Sequence, residues 1–165
     1  RVDAMQRLAD LFGVTIVDLQ SETHDLNTHS HTSLKVPILG KIPAGIPIEA
    51  IEDIEDWEEI PEAMARGGKE FFGLSVKGDS MLPEYRSGDV LILQRQDSCE
   101  TGDDCAVMVN GNDATFKRVR RTEKGITLQP LNPTYDPIFF TNQEIVELPV
   151  RIIGVVIEVR RKVKR

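Results

Sequence analysis

Two residues in this chain have the type and setting for nucleophilic chemistry, Ser80 and Lys117. Ser80 lies in Val76-Lys77-Gly78-Asp79-Ser80-Met81, where an apolar strand ends in glycine and then serine. A glycine just before a serine lets the chain turn sharply, and the hydroxyl then projects near free backbone N–H groups, as an oxyanion hole requires. Gly-Asp-Ser is also a common turn, so the serine alone decides nothing. Lys117 lies in Ala114-Thr115-Phe116-Lys117-Arg118-Val119. Strand alternation puts Thr115, Lys117 and Val119 on one face and Phe116 and Arg118 on the other, so this lysine points the same way as a valine. An ordinary lysine, with a pKa near 10.4, is neutral only about 0.04% of the time at pH 7. Desolvation lowers that value by up to roughly 3–5 units, and the neutral amine is then a competent base for a serine. Most strand lysines are simply solvated, so this one also needs its partner. A third segment, Gly40-Lys41-Ile42-Pro43-Ala44-Gly45-Ile46-Pro47, sets a small Ala-Gly pair between prolines. It reads either as a plain loop or as a chain that can lie extended in a narrow site.

The elements that would position these residues follow from the patterning. In residues 1–20, Val2, Met5, Leu8/Ala9 and Leu11/Phe12 recur at the period of one helix face, and Gly13 ends that helix. Thr15 and Asp18 then resemble a capping box opening a second short helix. Residues 21–35 are polar and without period, which predicts a linker. Its histidines, His24, His29 and His31, have no carboxylate or cysteine at ligand spacing and read as linker rather than as a metal clip. From Val36 onward the texture is β, with short apolar runs at Val36–Leu39, Phe71–Val76, Asp89–Leu93, Cys105–Val109, Ala114–Val119, Ile126–Leu128 and Val150–Val159. Asn110-Gly111 between two such runs signals a hairpin. No helix–strand alternation is present, so the expectation for 36–165 is a mainly β, bent multi-stranded fold rather than a parallel α/β sheet.

Composition narrows the classes. The 165 residues carry a net charge of −7, which argues against a nucleic-acid binder acting through its whole surface. The charge is uneven: residues 40–70 hold nine acids against three bases, while basic residues gather at 117–124 and at Arg160–Arg165. No apolar run reaches the roughly 18 residues of a membrane span, and the polar start gives no sign of a signal peptide. Two cysteines, Cys99 and Cys105, cannot make a disulfide framework, so a reducing, cytoplasmic setting without metal or cofactor is expected. The first residue is not Met, so a trimmed chain is expected. No histidine lies beyond the linker, which leaves the β part without a Ser-His-Asp triad and raises the Ser–Lys reading.

Taken in order, four pieces resemble the self-cleaving repressors, LexA and the lambda-type phage CI repressors, together with the polymerase-accessory protein UmuD. They are Ala44-Gly45, Val76-Lys77-Gly78-Asp79-Ser80-Met81, Gly88-Asp89-Val90 and Ala114-Thr115-Phe116-Lys117-Arg118. Gln129-Pro130-Leu131-Asn132-Pro133 and Ile153-Gly154-Val155-Val156 look like later motifs of the same family. The resemblance implies a LexA-like peptidase domain in which Ser80 is the nucleophile and Lys117 its general base. It further implies that Ala44-Gly45, in a cleavage loop over 40–48, is the bond cut, and that the backbone N–H groups of Asp79 and Ser80 form the oxyanion hole. Residues 1–20 resemble the last two helices of a phage-type helix-turn-helix domain, with the recognition helix lying before Arg1.

What this implies is a transcriptional repressor, phage, prophage or SOS-type, that binds operator DNA through its N-terminal domain. Its partners would be a second copy of itself, with part of Val150–Val159 at the homodimer interface, and RecA–single-stranded-DNA filaments as co-protease. The alternatives are a UmuD-like translesion polymerase accessory protein, or a non-cleaving repressor that uses 36–165 only to dimerise. Pro43 beside Ala44 and the acidic run Glu52–Glu59 depart from the family pattern.

Overall fold

A computed structural model describes residues 32–163. The helices expected over 1–20, the linker up to His31 and all three histidines lie outside the described residues. Among the described residues, nine strands form one sheet: β1 Ser33–Leu39, β2 Ile54–Pro61, β3 Phe71–Ser75, β4 Val90–Arg95, β5 Asp104–Val109, β6 Thr115–Thr122, β7 Gly125–Gln129, β8 Ile138–Thr141 and β9 Val150–Arg160. One short helix, α1 Asn142–Glu147, and two 3-10 turns, Ile48–Ala50 and Glu62–Ala65, join them. The mainly β expectation therefore holds. The spatial order is β2-β1-β3-β4-β9-β5-β6-β7-β8. β1 and β3 pair in parallel; the other neighbours in the sheet are antiparallel.

The strands that hydropathy marks are those with a face to bury. Leu39, Phe72, Leu74, Leu91, Leu93 and Ala106 pack into one cluster, and Cys105, Val107, Val119 and Leu128 into another. β6 serves both, because Phe116 leans on the first cluster while Val119 lies in the second. The alternation read from its sequence is thus realised, and Lys117 shares the face of Val119. β9 runs between β4 and β5, pairing with β5 up to Val155 and with β4 from Gly154 onward. Val156 packs on the first cluster, while Ile157 and Val159 stay exposed.

Three differences from the sequence reading have physical causes. The linker was expected to reach Lys35, but β1 starts at Ser33, where Ser33, Leu34 and Lys35 pair with Pro61, Ile60 and Glu59. These first residues are exposed, so backbone pairing holds them and no apolar period advertises it. Most of the acidic run lies in β2, an edge strand on which Glu55, Asp56 and Glu59 are exposed and blunt the edge against further pairing, while Glu58 is half-buried against Arg160. The hydropathy pattern marks neither β8 nor α1; α1 opens at a capping box in which Thr141 Oγ1 accepts from Glu144 N and Glu144 Oε2 accepts from Thr141 N. Asn110-Gly111 does turn β5 into β6, with φ of 52° and 69°, the left-handed pair of a type I′ turn. The ladder resumes only at Val107↔Thr115, so the two strands splay before they pair.

Candidate active site

Ser80 sits where β3 has ended and the chain doubles back. Val76 N donates to Asp89 O and Gly88 N donates to Val76 O, so residues 76–89 form a closed excursion from the sheet. Gly78 makes the first bend at φ +81°, a conformation glycine adopts without cost. Met81, 2% exposed, plugs the turn into the interior and leaves Ser80 at the rim. From the other side, β6 brings Lys117. Its Nζ lies 3.0 Å from Ser80 Oγ, 3.1 Å from Thr115 Oγ1 and 3.0 Å from Phe116 O.

This arrangement suits a neutral amine. Three neutral oxygens surround Nζ, and once the amine is neutral its two N–H bonds can stay on Thr115 Oγ1 and Phe116 O while the lone pair turns to the Ser80 hydroxyl. No carboxylate pairs with it among the described residues, so nothing there stabilises the ammonium form. Burial lowers its pKa below the ordinary lysine value. The neighbouring cation shows the contrast. Arg118, on the opposite face of β6, donates from Nε to Asp104 Oδ1 at 2.8 Å and from its guanidinium to Glu84 Oε2 at 2.9 Å. Strand alternation therefore places one basic residue among carboxylates and the next among neutral oxygens.

The two residues open onto a small cavity of about 160 Å³, lined also by Gly40, Lys41, Val76 and Met81. That is the space of a few water molecules, enough for a peptide group with a small side chain. At its rim Lys77 donates to Glu55 at 2.8 Å, and this bond holds the Glu55 carboxyl below its usual range. The backbone N–H groups of Asp79 and Ser80 have no acceptor among the described residues. They are free to receive a developing oxyanion.

Ala44 and Gly45 are not brought to this cavity. Gly45, with Ile42 and Ile46, instead lines a second cleft of about 630 Å³ beside Met108, Arg151 and Ile152. The segment is tied by Ala114 N donating to Ile42 O at 3.0 Å and, more loosely, by Ala44 N to Asp113 Oδ1 at 3.4 Å. Ser80 and Lys117 thus converge on one cavity, while the bond expected to be cut rests elsewhere.

Sequence reasoning gave no role to a second layer around the turn. Asn132 Nδ2 donates to Asp79 O at 3.0 Å, Leu131 N and Asn132 N both donate to Ser80 O at 3.0 Å, and Tyr135 OH donates to Asp79 Oδ1. The Leu131-Asn132-Pro133 motif carried the only signal for it, an Asn-Pro loop with no apolar pattern. Among the described residues no group of His, Cys, Asp and Glu is arranged to hold a metal ion, and no helix is long and apolar enough to cross a membrane. Cys99 and Cys105 are buried free thiols, both raised in pKa by burial.

Residues 37–157 match the profile of the Peptidase S24-like family. The chain is 35% identical to the LexA repressor of Bacillus licheniformis over 151 residues, covering 91% of this chain and 68% of that protein. It is 39% identical to the LexA repressor of Geobacillus thermodenitrificans, covering 74% and 58%. With the LexA repressor of Thermotoga sp. it shares 39% identity, covering 78% and 62%. The chain spans between 58% and 68% of the length of these three relatives.

Proposed function

This chain belongs to the Peptidase S24-like family of LexA/UmuD-like proteins, and on that premise we propose that it is a transcriptional repressor inactivated by its own Ser–Lys peptidase. The observation that carries this reading is Lys117 Nζ 3.0 Å from Ser80 Oγ, buried and without a carboxylate partner. Neutral Lys117 takes the Ser80 proton as Oγ attacks the Ala44 carbonyl carbon. The new C–O bond leaves negative charge on the carbonyl oxygen, which the N–H groups of Asp79 and Ser80 receive. Collapse breaks the Ala44–Gly45 bond, and Lys117 returns the proton to the departing Gly45 amine. Water, deprotonated by Lys117 in turn, releases Ala44 from Ser80.

The consequence of the cut is regulatory. A homodimer holds two operator readers at high effective concentration, and separating the reader from the dimerising part removes that advantage. The exposed Ile157 and Val159 on the last strand suit the dimer contact. RecA–single-stranded-DNA filaments in the bacterial cytoplasm are the proposed co-protease. The texture of residues 1–20 supports the phage or prophage branch as the first reading. The SOS-type branch is the second reading, favoured by the identity to LexA repressors over most of the chain.

Alkaline incubation of the purified protein tests the mechanism. Wild type should give two fragments, one ending at Ala44 and the other beginning at Gly45, whereas Ser80→Ala and Lys117→Ala should each stay intact with unchanged circular dichroism. Cleavage in either variant would exclude the dyad. An intact wild type would leave a dimerisation module only.

A further inference from the structure

The loop that grips the Ser80 turn has a geometry with consequences for the oxyanion hole. The Asp79–Ser80 peptide is trans, so its C=O and N–H point in opposite directions from one rigid plane. Two donors hold the Asp79 carbonyl end of that plane, Leu82 N from within the turn at 3.2 Å and Asn132 Nδ2 from outside it at 3.0 Å. Whatever fixes that carbonyl also fixes the direction of Ser80 N–H, which has no acceptor among the described residues. The donation also polarises the peptide, strengthening the N–H as a donor at its far end. Asn132 is itself held: its Oδ1 accepts from Thr134 N at 3.0 Å, and its own N–H donates to Ser80 O. An asparagine is suited to this place because it both donates and accepts in one planar group. The Tyr135 hydroxyl, by contrast, reaches only the Asp79 carboxylate and leaves the peptide plane untouched.

We propose that Asn132 is a positioning residue for the peptidase reaction, aiming and polarising Ser80 N–H as a donor of the oxyanion hole through the Asp79 carbonyl. The inference rests on the reading of Ser80 as nucleophile. It adds a residue, 52 positions further along the chain, that never touches the reacting atoms.

The test avoids the cleavage loop by using a small fluorophosphonate. Ser80 Oγ forms a bond to phosphorus, fluoride leaves, Lys117 takes the proton, and the phosphoryl oxygen occupies the oxyanion hole. The labelling rate, read by mass spectrometry of the whole chain, is followed from pH 7 to 11. Asn132→Ala should lower the maximal rate by about tenfold or more while leaving the pH midpoint where wild type has it. Tyr135→Phe should stay within about twofold, since the peptide plane keeps its holder. If Asn132→Ala does not fold, Asn132→Asp serves, because it keeps the acceptor for Thr134 and loses the donor to Asp79. An unchanged maximal rate in the folded variant overturns the proposal. So does a fall accompanied by an upward shift of the midpoint, which would mean that water has reached Lys117, or an equal fall in Tyr135→Phe. Labelling of Ser80→Ala at the wild-type rate would instead overturn the nucleophile reading beneath it.

Discussion

The Ser80 turn and the 40–48 loop lie in the same fold and are held in opposite ways. In the turn, the carbonyls of Asp79 and Ser80 and the Asp79 carboxylate are all hydrogen-bonded, Met81 is buried, and Tyr85 N donates to Met81 O. In the loop Ile42 is buried near one end, but Gly45, Ile46 and Pro47 beyond it are exposed. One part is built as a fixed machine and the other as a tethered segment. Well-aligned intramolecular attack is worth roughly 7–11 kcal/mol, but only in the docked geometry. A rigid site facing a loop that rests elsewhere puts control of the reaction in the docking equilibrium, not in the chemistry.

Gly45→Glu should break the comparison most strongly. In the resting position Gly45 has φ +77°, and a Cβ there meets nothing within 4 Å. The folded chain therefore tolerates the new side chain at the cost of about 1 kcal/mol of backbone strain. At Ser80 the same side chain would carry a charge into a cavity lined by Leu74, Val76, Met81 and Phe116, which should oppose docking. Alkaline incubation should leave Gly45→Glu as a single intact band beside a cleaved wild type, with Ser80 and Lys117 still reactive to small electrophiles. Fragments of wild-type size would place the cut elsewhere.

The pH profile sharpens the same contrast. Burial lowers the Lys117 pKa, so the neutral fraction, and with it the cleavage rate, should rise about tenfold per pH unit below a midpoint under the ordinary 10.4. The stability sign follows from the same shift. The unfolded chain binds this proton more readily than the folded one, so folding gains stability as pH rises through the window between the two values. Lys117→Ala should remove both dependences, the first in fragment yield and the second in denaturant midpoints at pH 8 and 10. A wild-type rate flat over this range would separate Lys117 from the chemistry.

Much of this was legible from residues alone, for identifiable reasons. Phe116 and Val119 had to face apolar clusters, which fixed the direction of Lys117 between them. Gly78 had to adopt a left-handed bend, which marked the turn before Ser80. What escaped was held by polar bonds between distant segments. β2 is an acidic edge strand and β1 begins in exposed polar residues, so neither shows a period. Asn132 and Tyr135 act through single hydrogen bonds to Asp79, more than fifty positions away, and no local pattern encodes such a contact. The resting place of Ala44-Gly45 was equally hidden, because a Pro-Ala-Gly segment fits a cleft and an open loop alike.

The smallest effect tests the fixed side of the comparison. Asp89, 2% exposed, closes the excursion that carries Ser80: its carboxylate accepts from Arg161 Nε at 2.7 Å and Nη2 at 2.6 Å, and from Arg86 N at 2.8 Å. The Arg161 bond, more than any other cause, holds its pKa below the usual carboxylate range. Asp89→Ala should therefore cost about 2 kcal/mol, less than a fully enclosed pair would, because Arg161 regains water on its exposed side. The lowered pKa gives the sign with pH. The contribution is complete above the unfolded carboxylate value near 3.9 and is lost as pH falls through the folded one, so the gap between wild type and Asp89→Ala should be wide at pH 7 and narrow towards pH 3. Urea midpoints at the two pH values read both numbers. If the excursion is as rigid as its bonds imply, Asp89→Ala should also slow cleavage at temperatures where the chain is still folded, since a looser turn points Ser80 less well. A variant that loses stability and cleaves at the wild-type rate would show that the turn tolerates looseness, and that the contrast with the loop is smaller than the hydrogen bonds make it.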